Sequence, residues 1–238
     1  MIEIKYAFSL RQDNWNNEDL NSWADYLEEQ IDCPQPLIKE ISENRKGVVF
    51  LKCPAHTDFL KNTYVFKSPF DILLNIETVN NTVKVWSDNI SQPLFEKLID
   101  IRFLNQSEGG TSPYPIIGID FLNLFVADST ILMNVTSAFL HYNDFTDKVS
   151  IIPGEFDISK WVRPVECVFE IKKQTENIKI SKGDVLCYFK FRSEENEPVK
   201  LIKSQMPWKN IDECAKLRAA APFKPLKFRY DSLKKNNV

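Results

Sequence analysis

The feature that most constrains the fold is a long series of short apolar runs between residues 46 and 203. The runs are rich in Val, Ile, Phe and Tyr and are separated by Pro, Asn, Asp or Gly. Closely spaced strands with turn residues between them are typical of antiparallel β proteins rather than of alternating βα units. We therefore expect a mainly β fold, an antiparallel sandwich, a jelly roll or a β-clip-like fold. The predicted strands are residues 2–8, 47–52, 63–67, 71–77, 82–86, 116–126, 131–140, 149–156, 163–172, 178–180, 185–191 and 199–203.

Turn and loop signals separate these runs. Asn80-Asn81 and Lys182-Gly183-Asp184 predict tight turns, because Asn and Gly tolerate a positive φ angle. Residues 106–115 contain Gly109-Gly110 and predict a loop. Residues 93–103 fit either a short helix or a strand, and the sequence alone leaves that choice open.

Helices are predicted at both ends of the β body. The first helical segment spans about residues 15–44 and carries an apolar stripe at helical spacing, followed after Cys33-Pro34 by a shorter helix that ends near Asn44. A C-terminal helix is predicted at about 208–220, within a C-terminal part of about 207–238. We expect one domain over residues 1–238, with its β body at about 46–203. The apolar stripe comprises Leu20, Trp23, Ala24, Leu27 and Ile31.

Composition narrows the class of protein and its compartment. A net charge of −3 argues against sequence-independent binding of nucleic acid, and a 43% hydrophobic content is enough for a core. The first residues contain no apolar run of signal-peptide length, and no stretch is apolar enough to cross a membrane. The five cysteines are scattered and form no C-x-x-C pair, so we interpret them as reduced thiols that fill the core. These features predict a cytoplasmic protein, in the host cytoplasm if it is viral, without a membrane partner.

One set of residues suggests chemistry. His56 and Asp58 form a His-x-Asp pair, and His141, the second of two histidines, follows much later. This order is that of a facial triad of two histidines and one carboxylate, which holds Fe(II) with open positions. In motif order and β content the sequence resembles the Fe(II)- and 2-oxoglutarate-dependent oxygenases. That resemblance implies Fe(II) and 2-oxoglutarate as cofactors, with Arg163 as the anchor of the co-substrate carboxylate.

The competing interpretation is structural. Two histidines and an aspartate carry little information, and His56-Thr57-Asp58 also fits a capped turn. No G-x-S-x-G motif is present, and the acidic pairs Glu28-Glu29 and Glu194-Glu195 fit solvated faces. We therefore favour a protein without a catalytic set.

The C-terminal tail offers a possible contact with a partner. It is basic and contains aromatic residues, a combination that can bind nucleic acid or an acidic protein, or can pack on the body of the domain. The tail residues in question are Lys224, Lys227, Arg229, Tyr230, Lys234 and Lys235.

Three clusters together resemble an uncharacterised protein family of tailed phages of aquatic bacteria and of some bacteria. The clusters cover about residues 46–203, and the family brings no known activity. They are Cys53-Pro54 with Lys61-Asn62-Thr63-Tyr64 and Ser68-Pro69-Phe70-Asp71; Gly154-Glu155-Phe156-Asp157 with Trp161-Val162-Arg163-Pro164; and Gly183-Asp184 with Phe189-Lys190-Phe191.

The sequence thus predicts a non-enzymatic protein, encoded by a phage or a bacterium, that binds a host or viral macromolecule. Two alternatives stay open. One is the oxygenase with His56, Asp58 and His141 as ligands. The other is a structural subunit of a symmetric β-rich oligomer, which would expose a large apolar patch on one sheet.

Overall fold

The computed structural model describes residues 1–8, 29, 33–44, 49–79, 82–102, 115–121, 123–160, 164–172 and 175–204. Several predicted features lie outside these residues. They are the apolar stripe of residues 20–31, the Asn80-Asn81 turn, most of the 106–115 loop, Arg163, the helix at 208–220 and the basic tail.

The described chain is mainly β, as predicted, and its strands form several sheets that are largely antiparallel. The strands are β1 (Ile2–Phe8), β2 (Gln35–Pro36), β3 (Thr63–Lys67), β4 (Ile72–Val79), β5 (Thr82–Ser87), β6 (Ile99–Arg102), β7 (Ile116–Ile119), β8 (Asn123–Val126), β9 (Leu132–Ser137), β10 (Val149–Ile151), β11 (Gly154–Asp157), β12 (Cys167–Ile171), β13 (Asn177–Ile180), β14 (Val185–Arg192) and β15 (Val199–Lys203). The α-helices are α1 (Leu37–Asn44), α2 (Pro54–Leu60), α3 (Gln92–Leu98) and α4 (Asp144–Lys148).

The strands pair in four groups. A five-stranded sheet has the order β11-β9-β14-β3-β2, and a four-stranded sheet has the order β10-β12-β7-β6. Two three-stranded sheets have the orders β13-β4-β5 and β15-β1-β8. In the last of these, β1 lies parallel to β15, with Ile2 opposite Val199, and antiparallel to β8.

A single large apolar cluster draws side chains from all four sheets, among them Ile4, Phe66, Leu74 and Phe169. Aromatic rings meet inside it, with the Phe66 and Phe189 centroids 4.9 Å apart. Because side chains alternate along a strand, the opposite face of β3 and β14 presents Val65 and Tyr188 to a second, smaller cluster. Helices α1 and α2 supply Leu37, Ile41 and Leu60 to that cluster and so cover one end of this face.

Several boundaries differ from the sequence prediction. Residues 49–52, predicted as part of a strand, form the 3₁₀ helix Val49–Lys52, and α2 follows with Cys53 as its N-cap and Pro54 in its first turn. The apolar run is therefore helical instead of pairing as a strand, and Pro54 suits the first turn of α2 because its ring fixes φ. Segment 93–103 contains both of its alternatives, α3 and then β6. Helix α4 was not predicted, although Asn143 caps it with a capping box to Thr146.

The turn before β14 agrees with the sequence prediction, and the cysteines agree with it in part. Gly183 has a φ of 89° in the turn before β14, as the Lys182-Gly183-Asp184 signal indicated. Cys167 and Cys187 are buried as expected, whereas Cys53 is exposed and does not fill the core. Burial, and then a hydrogen bond with Cys167, raises the pKa of the Cys187 thiol well above its usual value.

Candidate functional site

His141 lies at the centre of a hydrogen-bonded chain of side chains. Its Nε2 is 2.7 Å from Glu40 Oε2, and its Nδ1 is 2.6 Å from the Tyr188 hydroxyl. Glu40 belongs to α1, Tyr188 to β14, and His141 to the segment that follows β9. The chain therefore joins three separate parts of the fold through one imidazole ring.

The distances fit a chain in which His141 Nε2–H donates to the Glu40 carboxylate and Nδ1 accepts the Tyr188 hydroxyl proton. The Tyr188 oxygen accepts the backbone N–H of Leu140 at 3.1 Å. Each donor in the chain then faces one acceptor.

Glu40 is a buried carboxylate, with 7% of its side chain exposed, and it has two further partners. Asn44 Nδ2 donates to Oε1 at 2.9 Å, and Lys67 Nζ lies 3.6 Å from the same oxygen. Burial of a charge is costly unless it is paired and hydrogen-bonded, and these contacts meet both requirements. The network thus holds α1 against β3.

A chain of Glu, His and Tyr resembles a set for activating a nucleophile, but the burial argues for another role. Tyr188 is 0% exposed, so its oxygen does not reach a substrate at the surface. Both His141 ring nitrogens are engaged, and 14% of its side chain is exposed. The arrangement stabilises the segment after β9 rather than presenting a reactive group.

That segment carries two exposed aromatic side chains, and α2 adds a third. Phe139 is 46% exposed, Tyr142 80% and Phe59 58%. The ring centroids of Phe59 and Phe139 are 6.2 Å apart, and Phe139 packs edge-on against the buried Tyr188 ring. We call Phe59, Phe139 and Tyr142 the aromatic surface.

Lys190 of β14 borders the aromatic surface. Its Nζ donates to the Phe59 carbonyl oxygen at 2.6 Å and lies 4.3 Å from the centre of the Phe59 ring. Burial, and then the neighbouring charge of Arg192, lowers the pKa of the Lys190 ammonium. The contacts fix the position of Phe59 although more than half of its surface is exposed.

A cavity of about 250 Å³ opens beside Phe139 and Tyr142, and we call it the Tyr142 cavity. Its wall is fixed by local bonds: Asn143 Oδ1 accepts the Thr146 N–H at 2.8 Å, and Lys172 Nζ donates to the Asp147 carbonyl oxygen at 2.7 Å. The cavity is lined by Ser137, Ala138, Phe139, His141, Tyr142, Thr146, Asp147, Val149, Ile151 and Lys172.

A smaller cavity of about 160 Å³ lies at the β2 end of the five-stranded sheet, where Cys33, Lys67 and Lys182 contribute to its wall. Lys67 already pairs with Glu40, so its charge is partly used within the fold. The Tyr142 cavity, with exposed aromatic rings at its side, is the better candidate for a binding site.

The predicted metal ligands are placed as follows. His56 and Asp58 are exposed on α2, and the His56 ring meets Phe50 edge-on with centroids 5.7 Å apart. His141 instead uses both ring nitrogens for Glu40 and Tyr188. Within the ranges that the structure describes, no group of three His, Cys, Asp or Glu side chains is arranged to hold a metal ion. Binding of Fe(II) by these residues stays a prediction from the sequence.

Arg163 and the tail residues Lys224, Lys227, Arg229, Tyr230, Lys234 and Lys235 lie outside the described residues. Their predicted roles stay predictions. No helix in the described part of the chain is both long and apolar enough to span a membrane.

The sequence pointed to His141 but not to its partners. Glu40 is 101 residues away and Tyr188 is 47 residues away, and neither stands in a motif. Near the cavity, the sequence offers one signal. Asn143 stands three residues before Thr146, a spacing typical of a helix N-terminus, and Thr146 lines the cavity.

Comparisons with known proteins give no match for this chain, whether with protein-family models, curated proteins or solved structures.

Proposed function

We propose that this chain is a non-enzymatic binding protein that engages a macromolecular partner, of host or viral origin, through the aromatic surface. The observation that carries the proposal is the exposure of Phe59, Phe139 and Tyr142 next to a cavity. Aromatic side chains of this kind supply large contact area at low conformational cost and dominate many interfaces.

The framework beneath these rings supports the same conclusion. The Glu40–His141–Tyr188 chain fixes the segment that carries Phe139 and Tyr142, and Lys190 fixes Phe59. A surface held in place before contact loses less conformational entropy on binding. The exposed rings are thus presented by a rigid base, which favours a binding role over a merely solvated loop.

The proposal extends to features that the sequence suggested. We place the protein in the cytoplasm, in the host if it is phage-encoded, with the sheets arranged as a sandwich or jelly roll. The basic tail would provide a second contact. The resemblance to a tailed-phage family supports a partner in an infected cell.

Site-specific photo-crosslinking tests the proposal. Benzoylphenylalanine is placed at position 142 in one variant and at position 86 in a control, because Trp86 is also partly exposed, at 37%, but lies on β5 of another sheet. We expect a discrete crosslinked macromolecule from position 142 that is absent from position 86. Phe139→Ser in the same chain should weaken that crosslink.

Three results would contradict the proposal. The first is no crosslink from position 142. The second is equal crosslinking from both positions, which indicates non-specific contact. The third is a crosslink only to a second copy of this chain, which would favour the oligomer interpretation.

A further inference from the structure

The Tyr142 cavity combines aromatic and polar groups in a way that selects a chemical class of ligand. We propose that it binds one uncharged sugar ring, presented by a glycan. The inference rests on the proposed function, because it names the chemistry of the partner at the aromatic surface.

The size of the cavity indicates a single ring. Its volume of about 250 Å³ lies below the range of roughly 300–1,000 Å³ that is usual for clefts that take drug-sized ligands. A ligand that enters it is therefore one compact unit, and the remainder of a longer molecule would lie on the surface outside.

The aromatic side of the cavity suits the face of a sugar. Tyr142 is 80% exposed and Phe139 is 46% exposed, so both offer ring surface to a ligand. The face of an aromatic ring is electron-rich and attracts the slightly positive C–H groups that line one face of a pyranose. An apolar contact of this kind leaves the sugar hydroxyls free at the ring edge.

The polar side supplies partners for those hydroxyls. Asp147 is exposed and its carboxylate can only accept hydrogen bonds. The exposed Lys172 ammonium can only donate them, and of its three N–H groups one already donates to the Asp147 carbonyl oxygen. The Ser137 hydroxyl does both. Because each sugar hydroxyl also donates and accepts, one ring can satisfy this mixed set.

The same polar groups disfavour two other ligands. An apolar side chain from a protein partner would remove Asp147 and Lys172 from water without replacing their hydrogen bonds, which is costly. A nucleotide would bring phosphate charge, and the one acidic and one cationic side chain in the lining provide no positive surplus for it. An uncharged polyhydroxy ring avoids both penalties.

Saturation-transfer NMR on the full chain tests the inference. The probes are the methyl glycosides of glucose, galactose, mannose and N-acetylglucosamine, each at millimolar concentration, beside N-acetylphenylalaninamide and adenosine. We expect transfer to the ring protons of at least one glycoside. Tyr142→Ala and Asp147→Asn should each weaken its binding by about tenfold, as expected when a stacking surface or a charged hydrogen bond is lost.

The variants are chosen so that folding does not confound the result. Tyr142 and Asp147 are exposed, and Trp86→Ala is the matched control, for which we expect wild-type transfer. Tyr142→Trp retains an aromatic face and should retain binding. The thermal unfolding midpoint of each variant verifies that the fold is intact.

Three outcomes would overturn the inference: no transfer to any glycoside, transfer that Tyr142→Ala leaves unchanged, or transfer only to N-acetylphenylalaninamide or adenosine. The crosslinking experiment distinguishes these from failure of the proposed function. A crosslinked partner from position 142 without glycoside binding removes the sugar assignment alone, whereas the loss of the position 142 crosslink removes the binding function itself.

Discussion

The imidazole of His141 bridges the Glu40 carboxylate and the Tyr188 hydroxyl, at 2.7 Å and 2.6 Å. The two partners lie on α1 and β14, and both side chains are almost completely buried. One ring therefore hydrogen-bonds a charged and a neutral group inside the protein, in addition to the contacts of Glu40 with Asn44 and Lys67.

Removal of this ring should destabilise the fold. We expect His141→Ala to lower the free energy of unfolding by about 3 kcal/mol, because a buried carboxylate and a buried hydroxyl each lose a partner. Urea unfolding followed by circular dichroism measures the change. His56→Ala is the matched control, since His56 is exposed, and should change stability by less than about 0.5 kcal/mol. Equal effects of the two substitutions would contradict a structural role for His141.

Asp157 should contribute to the acid sensitivity of the protein. Burial alone would raise the pKa of its carboxyl group, but hydrogen bonds from Lys160 and Ser159 outweigh it and lower the pKa below its usual value. A carboxyl group with a lowered pKa in the folded state stabilises the protein above the unfolded-state pKa of about 3.9. That stability is lost as the pH falls through the folded-state pKa.

We therefore expect Asp157→Asn to lower stability at pH 7 and to flatten its dependence on pH below about pH 4. Urea midpoints between pH 7 and pH 2 test this. Ser159→Ala removes one of the hydrogen bonds and should give an intermediate slope. A wild-type slope in Asp157→Asn would show that other groups control acid unfolding.

Gly183 is required by its backbone conformation rather than by space. Its φ is +89°, and a Cβ added there would have no neighbour within 4 Å. We expect Gly183→Ala to cost about 1 kcal/mol, because L residues are strained at positive φ, and Gly183→Asn to cost less. Unfolding free energies of the two variants provide the measurement. If Ala is tolerated as well as Gly, the turn before β14 does not depend on this angle.

The cysteines should differ in reactivity toward a thiol reagent in the native protein. Cys53 is exposed, whereas Cys187 is buried and its pKa is raised by burial and by Cys167. Since the thiolate is the reactive form, we expect Cys53→Ser to remove one fast-reacting thiol. Cys187→Ser, its matched control, should leave the fast phase unchanged. A fast phase of smaller amplitude in Cys187→Ser would show that Cys187 also reacts rapidly, and hence that the core opens readily.

Much of the β structure could be predicted from sequence because strand alternation is a local signal. β1, β3 and β15 have the predicted bounds. Other predicted runs contain strands that are divided or whose ends differ from the prediction, and the run at 47–52 contains no strand in its described part. The run at 116–126, for example, holds both β7 and β8, which pair with different sheets. Apolar content alone did not show where one strand ends and the next begins.

The segment at 49–60 shows where local patterns were misleading. Val49, Phe50 and Leu51 are strand-forming residues in isolation, yet they begin a 3₁₀ helix, and α2 continues after Cys53. Leu60 belongs to the small cluster beneath α1, and the partly buried Phe50 and Leu51 pack against it. These contacts determine the conformation of the segment. Packing against distant residues therefore outweighed intrinsic propensity.

The candidate site was the least accessible to sequence reasoning. His56, Asp58 and His141 attracted attention because His is rare in this chain, but the partners of His141 are Glu40 and Tyr188, which no spacing rule connects. Likewise, Phe139 and Tyr142 are exposed because they lie in the segment between the end of β9 and the start of α4. Aromatic residues in a β-rich sequence usually predict core, so the pattern gave no reason to expect them at the surface.

The parallel pairing of β1 with β15 has a consequence for how the chain acquires its structure. Ile2 lies opposite Val199, so β1 gains this neighbour only after nearly the whole described chain exists. At synthesis rates of about 5–20 residues per second, roughly 10–40 s separate the appearance of the two strands on the ribosome. Contacts between residues so distant in sequence also slow refolding. During that interval β1 has an unpaired edge, and its association with β15 would be a late step in folding.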